Sequence, residues 1–104
     1  MPKFVLAYKG GAMGRTKKEQ QAAMEAWMNW FGALGTSIVD PGAPFGPSSS
    51  ISSAGRASKG GSSALTGYSI IEAKTMAGAT KKAKGCPVLA SGGTVEVYEA
   101  MPMG

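Results

Sequence analysis

Gly67-Tyr-Ser-Ile-Ile-Glu-Ala-Lys74 combines β-branched residues with an abrupt glycine start and a charged stop, and it reads as a central strand. Alternation along a strand puts Tyr68, Ile70 and Glu72 on one side of a sheet and Ser69, Ile71 and Ala73 on the other. The second set is small and apolar and suits a cover of packed helices. The first carries a carboxylate and suits water, a partner subunit or a ligand. A sheet covered on one face and open on the other is the expected frame.

Before this strand, Lys3-Phe-Val-Leu-Ala-Tyr-Lys9 is a run of β-formers bracketed by lysines, apolar on both faces as a buried strand is. A glycine-rich loop over residues 10–14 leads to Thr16-Lys-Lys-Glu19, which has the spacing of a capping box and marks a helix start. Over residues 19–34, Ala23, Trp27, Trp30, Phe31 and Leu34 recur at helical spacing. Met24 and Met28 widen the stripe to nearly half the circumference, more than packing on one sheet requires, so part of it is free to line a pocket or a subunit contact. Gly35 stops this helix.

Residues 36–40 read as a brief strand, after which Pro41, Gly42, Pro44 and Pro47 predict an irregular segment outside any ladder. Residues 48–59 suit a polar, peripheral hairpin turning at Ser53-Ala-Gly55, and residues 60–66 a flexible connection to the central strand. Thr75 caps a second helix to about residue 84, weakened by Gly78; Gly85-Cys-Pro-Val-Leu89 then turns the chain back. Residues 94–99 alternate as a last strand. The order β-α-β, hairpin, β-α-β predicts an α+β fold, a split βαβ plait with an antiparallel sheet and both helices on one face.

A length of 104 residues bounds the chain to a single domain, residues 1–104, with one modest core. Sixteen glycines, several in pairs, punctuate short elements. No apolar run approaches the roughly 18 residues of a membrane span, and the first strand begins too early for a signal peptide, so a cytoplasmic protein without a membrane partner is expected. One cysteine, Cys86, and no histidine exclude an intrachain disulfide and remove the commonest zinc ligands, so neither metal nor cofactor is expected. The net charge of +5 raises nucleic acid as a partner, but the cations form no single stripe, and Lys81, Lys82 and Lys84 suit a helix C-terminus instead; no nucleic-acid partner is expected.

Several residues carry candidate chemistry. The loop Gly10-Gly-Ala-Met-Gly-Arg-Thr16 occupies the position of a phosphate loop but misses its pattern, with Arg15 where lysine is required. Arg15, Lys17 and Lys18 crowd a helix N-terminus, either because an anionic ligand docks there or because all three are solvated. Asp40 ends a strand beside a rigid loop and is the acid best placed as a catalytic base, although Asp before Pro-Gly is equally a normal turn initiator. Glu72 and Glu96, expected on adjacent strands and one face, form either a carboxylate pair or ion pairs with Lys9, Arg15 or Lys74. Without histidine, Cys86 lacks the base that makes a thiol a nucleophile and reads as a packed, inert residue. Tyr8, Trp27 and Tyr68 fit a core or the wall of a small-molecule pocket.

Trp27-Met-Asn-Trp-Phe-Gly-Ala-Leu-Gly35, Val39-Asp-Pro-Gly-Ala-Pro-Phe-Gly46, the central strand, Gly85-Cys-Pro-Val-Leu89 and Gly92-Gly-Thr-Val-Glu-Val-Tyr-Glu99 together resemble the YCII-related, or DGPF-domain, family. The resemblance implies a ferredoxin-like βαββαβ protomer, here with an inserted β-hairpin, that pairs through its open sheet face into a dimeric α/β barrel. It also implies relatives of thin functional assignment: some associated with extracytoplasmic sigma factors, others muconolactone isomerase-like and dehydrochlorinase enzymes that pair a histidine with an acid. Without histidine that mechanism does not carry over, so whether the chain is an enzyme stays open. Asp40 matches the acidic loop position, but Asp-Pro-Gly-Ala-Pro-Phe departs from the namesake Asp-Gly-Pro-Phe. The reading that results is a homodimer whose cleft, between helix one, the Asp40 loop and the open sheet face, binds a small anionic organic molecule through Tyr8, Arg15, Trp27, Phe45, Tyr68 and Glu72. Any chemistry is proton transfer, isomerisation or elimination with Asp40 as base. The alternative is a non-catalytic interaction module for a transcription-related partner.

Overall fold

Phe4, Leu6 and Tyr8 alternate along strand β1 (Lys3–Lys9) and are all buried, because this strand lies in the interior of a sheet beneath helices. The structure is a computed structural model that describes residues 1–11, 14–60 and 65–103. Helix α1 (Lys17–Leu34) follows, then a 3-10 turn (Gly35–Ser37), strand β2 (Ile38–Pro44), the short strands β3 (Ser49–Ile51) and β4 (Ala57–Lys59), and strand β5 (Gly67–Glu72). Helices α2 (Met76–Ala83) and α3 (Pro87–Ala90) and strand β6 (Thr94–Ala100) complete the chain. The fold is α+β: β2, β5, β1 and β6 form one antiparallel sheet in that order, and β3 with β4 a separate hairpin.

The expected alternation holds in the central strand. Ser69 and Ile71, with Ala73 just beyond, are buried with Phe4, Leu6 and Tyr8, whereas Tyr68, Ile70 and Glu72 are half-buried on the other face. Trp30 of α1, Ala79 and Ala83 of α2 and Val88 of α3 close over the buried set and form one core with it. Trp30 also donates its indole N–H to the Lys82 carbonyl at 3.2 Å, which fastens α1 to the last turn of α2. Gly85 eases this approach, since a Cβ there would sit 3.2 Å from the Trp30 ring, tighter than most such contacts.

Helix ends follow the sequence closely. The Thr16 hydroxyl accepts the Glu19 N–H at 3.0 Å, and the Glu19 carboxylate accepts the Arg15 N–H at 2.8 Å, one residue outside the usual capping-box partner. Gly35 ends α1 with φ 55° and returns its N–H to the Phe31 carbonyl. The Thr75 hydroxyl caps α2 through the Gly78 N–H at 3.0 Å. In the hairpin, Gly55 at φ 85° closes the expected turn between β3 and β4.

Three expectations are corrected. Strand β2 starts later, at Ile38, and runs through Pro41 to Pro44; as the edge strand it accommodates prolines, with register shifts on either side of Asp40. Residues 85–89 do not simply turn back, because Pro87 opens a further short helix at its first position, where its missing N–H costs nothing. Glu72 and Glu96 are not on adjacent strands: β1 lies between β5 and β6, Glu72 stands opposite Lys3, and Glu96 pairs with Lys9 at 3.0 Å. The middle of the first glycine loop, Ala12 and Met13, and residues 61–64 of the second connection lie outside the described residues. Ile71→Ala, which empties the fully buried centre of the core, is expected to lower stability by about 2–5 kcal/mol, measured by urea denaturation.

Candidate functional site

The residues of β5 that face α1 near its N-terminal end are Gly67 and Ser69, and the neighbouring part of β2 is Gly42 and Ala43, so the sheet offers almost no side-chain volume there. Opposite stand Met24, Trp27, Met28 and Phe31 of α1. Bulky residues facing a floor of backbone leave a cavity of about 420 Å³, closed by Tyr8 on β1 and by Gly10, Gly11, Val88 and Ser91 at one end. The wall is an aromatic cluster: the Trp27 ring meets Tyr8 edge-on at 5.1 Å and leans on Phe31 at 5.8 Å. Met24 and Met28 are exposed at 57 % and 69 %, the apolar surplus of the helix stripe.

Two hydrogen bonds hold the floor. The Tyr8 hydroxyl donates to Ser69 Oγ at 2.7 Å, and Ser69 donates to the Pro41 carbonyl at 2.7 Å, linking β1, β5 and β2 in one buried chain. Burial raises the Tyr8 pKa well above its ordinary value, so this phenol keeps its proton. Burial likewise pushes the Cys86 thiol up to about 11, which keeps it a neutral, unreactive neighbour.

Of the residues put forward from the sequence, Tyr8 and Trp27 line the cavity, and Tyr68 borders it although its ring lies on the opposite face of the sheet. Asp40 does not. Its register partner is Ile70, which puts it on the face away from α1; there Oδ1 accepts the Gly42 N–H at 2.8 Å and Oδ2 accepts the Tyr68 hydroxyl at 3.2 Å. The carboxylate raises the Tyr68 pKa, and Phe45 stacks on the Tyr68 ring at 5.6 Å, outside the lining. Arg15 is exposed ahead of α1, and Glu72 lies at the far end of β5 from Gly67. The single cleft expected between helix one, the Asp40 loop and the open face is thus divided: the sheet itself separates α1 and Trp27 from the Asp40 and Glu72 carboxylates. Gly42, Gly67 and Ser69, the floor residues, were not singled out from the sequence as site residues. The available signal was two small residues on the helix-facing side of the central strand, opposite an oversized apolar stripe.

Among the described residues no group of three or more His, Cys, Asp or Glu is placed to hold a metal ion, and no helix is long and apolar enough to cross a membrane. No family model matches the chain, and no curated protein matches it.

Gly42 has φ 77°, and a Cβ there would overlap the Tyr68 carbonyl oxygen, so Gly42→Ala is expected to cost upwards of about 2 kcal/mol and to loosen β2, read by denaturation and by faster amide exchange in that strand. A second expectation concerns alkaline pH. The Cys86 thiol ionises at an ordinary 9.0 when unfolded and at about 11 when folded, so its contribution is complete below pH 9 and declines as pH rises towards 11; Cys86→Ala is expected to flatten that part of the stability–pH curve.

Proposed function

We propose that the protein is a non-catalytic, homodimeric binder of small, weakly polar organic molecules, held in the cavity between α1 and strands β1, β2 and β5. The lining carries this reading: among the described residues it contains Tyr, Trp, Phe, Met, Gly, Pro and small side chains but no Lys, Arg, Asp or Glu. The ligand expected from the sequence was anionic. A carboxylate or phosphate entering this cavity would give up its hydration with no cation in the described lining to replace it, so an uncharged ligand is favoured. Proton transfer by Asp40 has little to support it, since its carboxylate lies outside the lining and both oxygens accept hydrogen bonds from the chain.

The strand order β2-β5-β1-β6, with the β3–β4 hairpin set aside, supports a ferredoxin-like plait and agrees with the resemblance to YCII-related proteins. On this reading a second copy packs on the open face to give a dimeric α/β barrel. Val5, Ile70 and Tyr98 stand in one row across that face, and Tyr98 is 53 % exposed, an apolar row that a partner sheet would cover. A second reading, a protein-interaction module, is favoured by one observation: Ile51 is 73 % exposed on the isolated hairpin.

Native mass spectrometry is expected to give a dimer, and titration with Nile red, an uncharged planar dye, a saturable fluorescence rise. Met24→Glu/Met28→Glu, which alters two exposed side chains at the cavity, is expected to weaken dye binding at least about 5-fold through lost apolar contact while leaving Tm in place. A monomer contradicts the dimer, and dye binding indifferent to the double variant contradicts the site. Loss of partner capture on deleting residues 48–59, with dye binding intact, would favour the interaction module.

A further inference from the structure

We infer that the cavity selects planar aromatic molecules carrying an O–H or N–H hydrogen-bond donor, which the Tyr8 hydroxyl oxygen accepts; this rests on the reading of the cavity as a binding site.

Four residues with hydroxyl side chains on this face border the cavity, Tyr8, Thr66, Ser69 and Ser91, and Tyr68 borders it with its hydroxyl on the opposite face. Tyr8 gives its proton to Ser69, and Ser69 gives its own to the Pro41 carbonyl. Thr66 donates to the carbonyls of Tyr8 and Gly10 at 3.2 and 3.1 Å, Tyr68 to Asp40, and Ser91 to the Val88 carbonyl at 3.0 Å. Every hydroxyl proton in the described lining is therefore spent within the chain, and what the hydroxyls retain is lone pairs. The Trp27 indole N–H is the side-chain donor outside this set. Tyr8 is the hydroxyl offered to a ligand: it sits against Trp27 in the aromatic wall, its direction is fixed by Ser69, and its one other neighbour, the Cys86 thiol, is a weak donor that engages at most one of its two lone pairs.

Shape supplies the rest. The floor at Gly42 and Gly67 is backbone, and the facing wall is Trp27 and Phe31, whose rings are tilted 46° to one another and offer an aromatic occupant both a face and an edge to pack on. The volume of about 420 Å³ lies within the range that accepts small organic ligands. An acceptor-only ligand, such as an aryl ether or a carboxylate, would face oxygen lone pairs with none of the hydroxyl protons available to it.

Calorimetric titration of the full chain with 2-naphthol, 2-methoxynaphthalene and 2-naphthoate tests this, in wild type, Tyr8→Phe and Ser69→Ala. Wild type is expected to bind the naphthol at least about 5-fold more tightly than the ether, and the naphthoate most weakly, as one hydrogen bond gained or denied implies. In Tyr8→Phe the naphthol-to-ether ratio is expected to fall towards one. In Ser69→Ala the Tyr8 proton is released, so the ether gains and the ratio narrows from the other side. Equal wild-type affinities, tighter naphthoate binding, or an unchanged ratio in a folded Tyr8→Phe overturns the selection while leaving the cavity as a binding site. If Tyr8→Phe fails to fold, the Ser69→Ala ratio decides in the same way. Failure of all three compounds to bind overturns both readings.

Discussion

The buried hydrogen-bond chain from Tyr8 through Ser69 to the Pro41 carbonyl joins three strands, and the described architecture around the cavity depends on it. A serine that is 1 % exposed is tolerable in a core only when its hydroxyl is satisfied, and here it both accepts and donates. With Ser69 and Gly67 fixed on the helix-facing side, the sheet has no bulk to offer α1 at that point. The cavity is then a direct consequence of packing large against very small.

The same constraint explains why β2 has its form. To receive the Ser69 proton, the Pro41 carbonyl must approach β5, and Gly42 passes so close to the Tyr68 carbonyl that no side chain fits. Asp40 closes this bulged segment by accepting the Gly42 N–H and the Tyr68 hydroxyl on the far face. The carboxylate that looks catalytic in the sequence holds the cavity floor from behind. Trp27 meanwhile contacts Tyr8, Trp30 and Phe31 at 5.1 to 5.8 Å, so one ring joins the cavity wall to the core.

The elements with strong local signals were legible in the sequence. β1 is a run of β-formers apolar on both faces, β5 and β6 alternate, α1 has both cap and stripe, and the hairpin has a turn that only glycine closes well. The two-faced character of the sheet followed from residues 67–74 alone. What failed was non-local. Prolines in a short strand argue against a ladder unless the strand is known to be at an edge, and edge position is set by pairing with β5, which local periodicity does not encode. The same pairing order separates Glu72 from Glu96 by inserting β1 between them. The site was half legible for a related reason: Tyr8, Trp27 and Tyr68 announce themselves as aromatics, whereas Gly42, Gly67 and Ser69 matter through the volume they leave empty. The four residues of α3 are too few for periodicity to register.

The central claim, that a binding cavity lies beneath α1 on the covered face of the sheet, is tested most directly by mapping amide and indole shifts in a ¹⁵N–¹H NMR titration with naphthalene. The account predicts shifts clustered at Gly10, Gly42, Gly67 and the Trp27 indole, residues far apart in sequence that meet only around this cavity. Shifts confined to Ile70, Glu96 and Tyr98 on the opposite face, with the Trp27 indole unmoved, would contradict it.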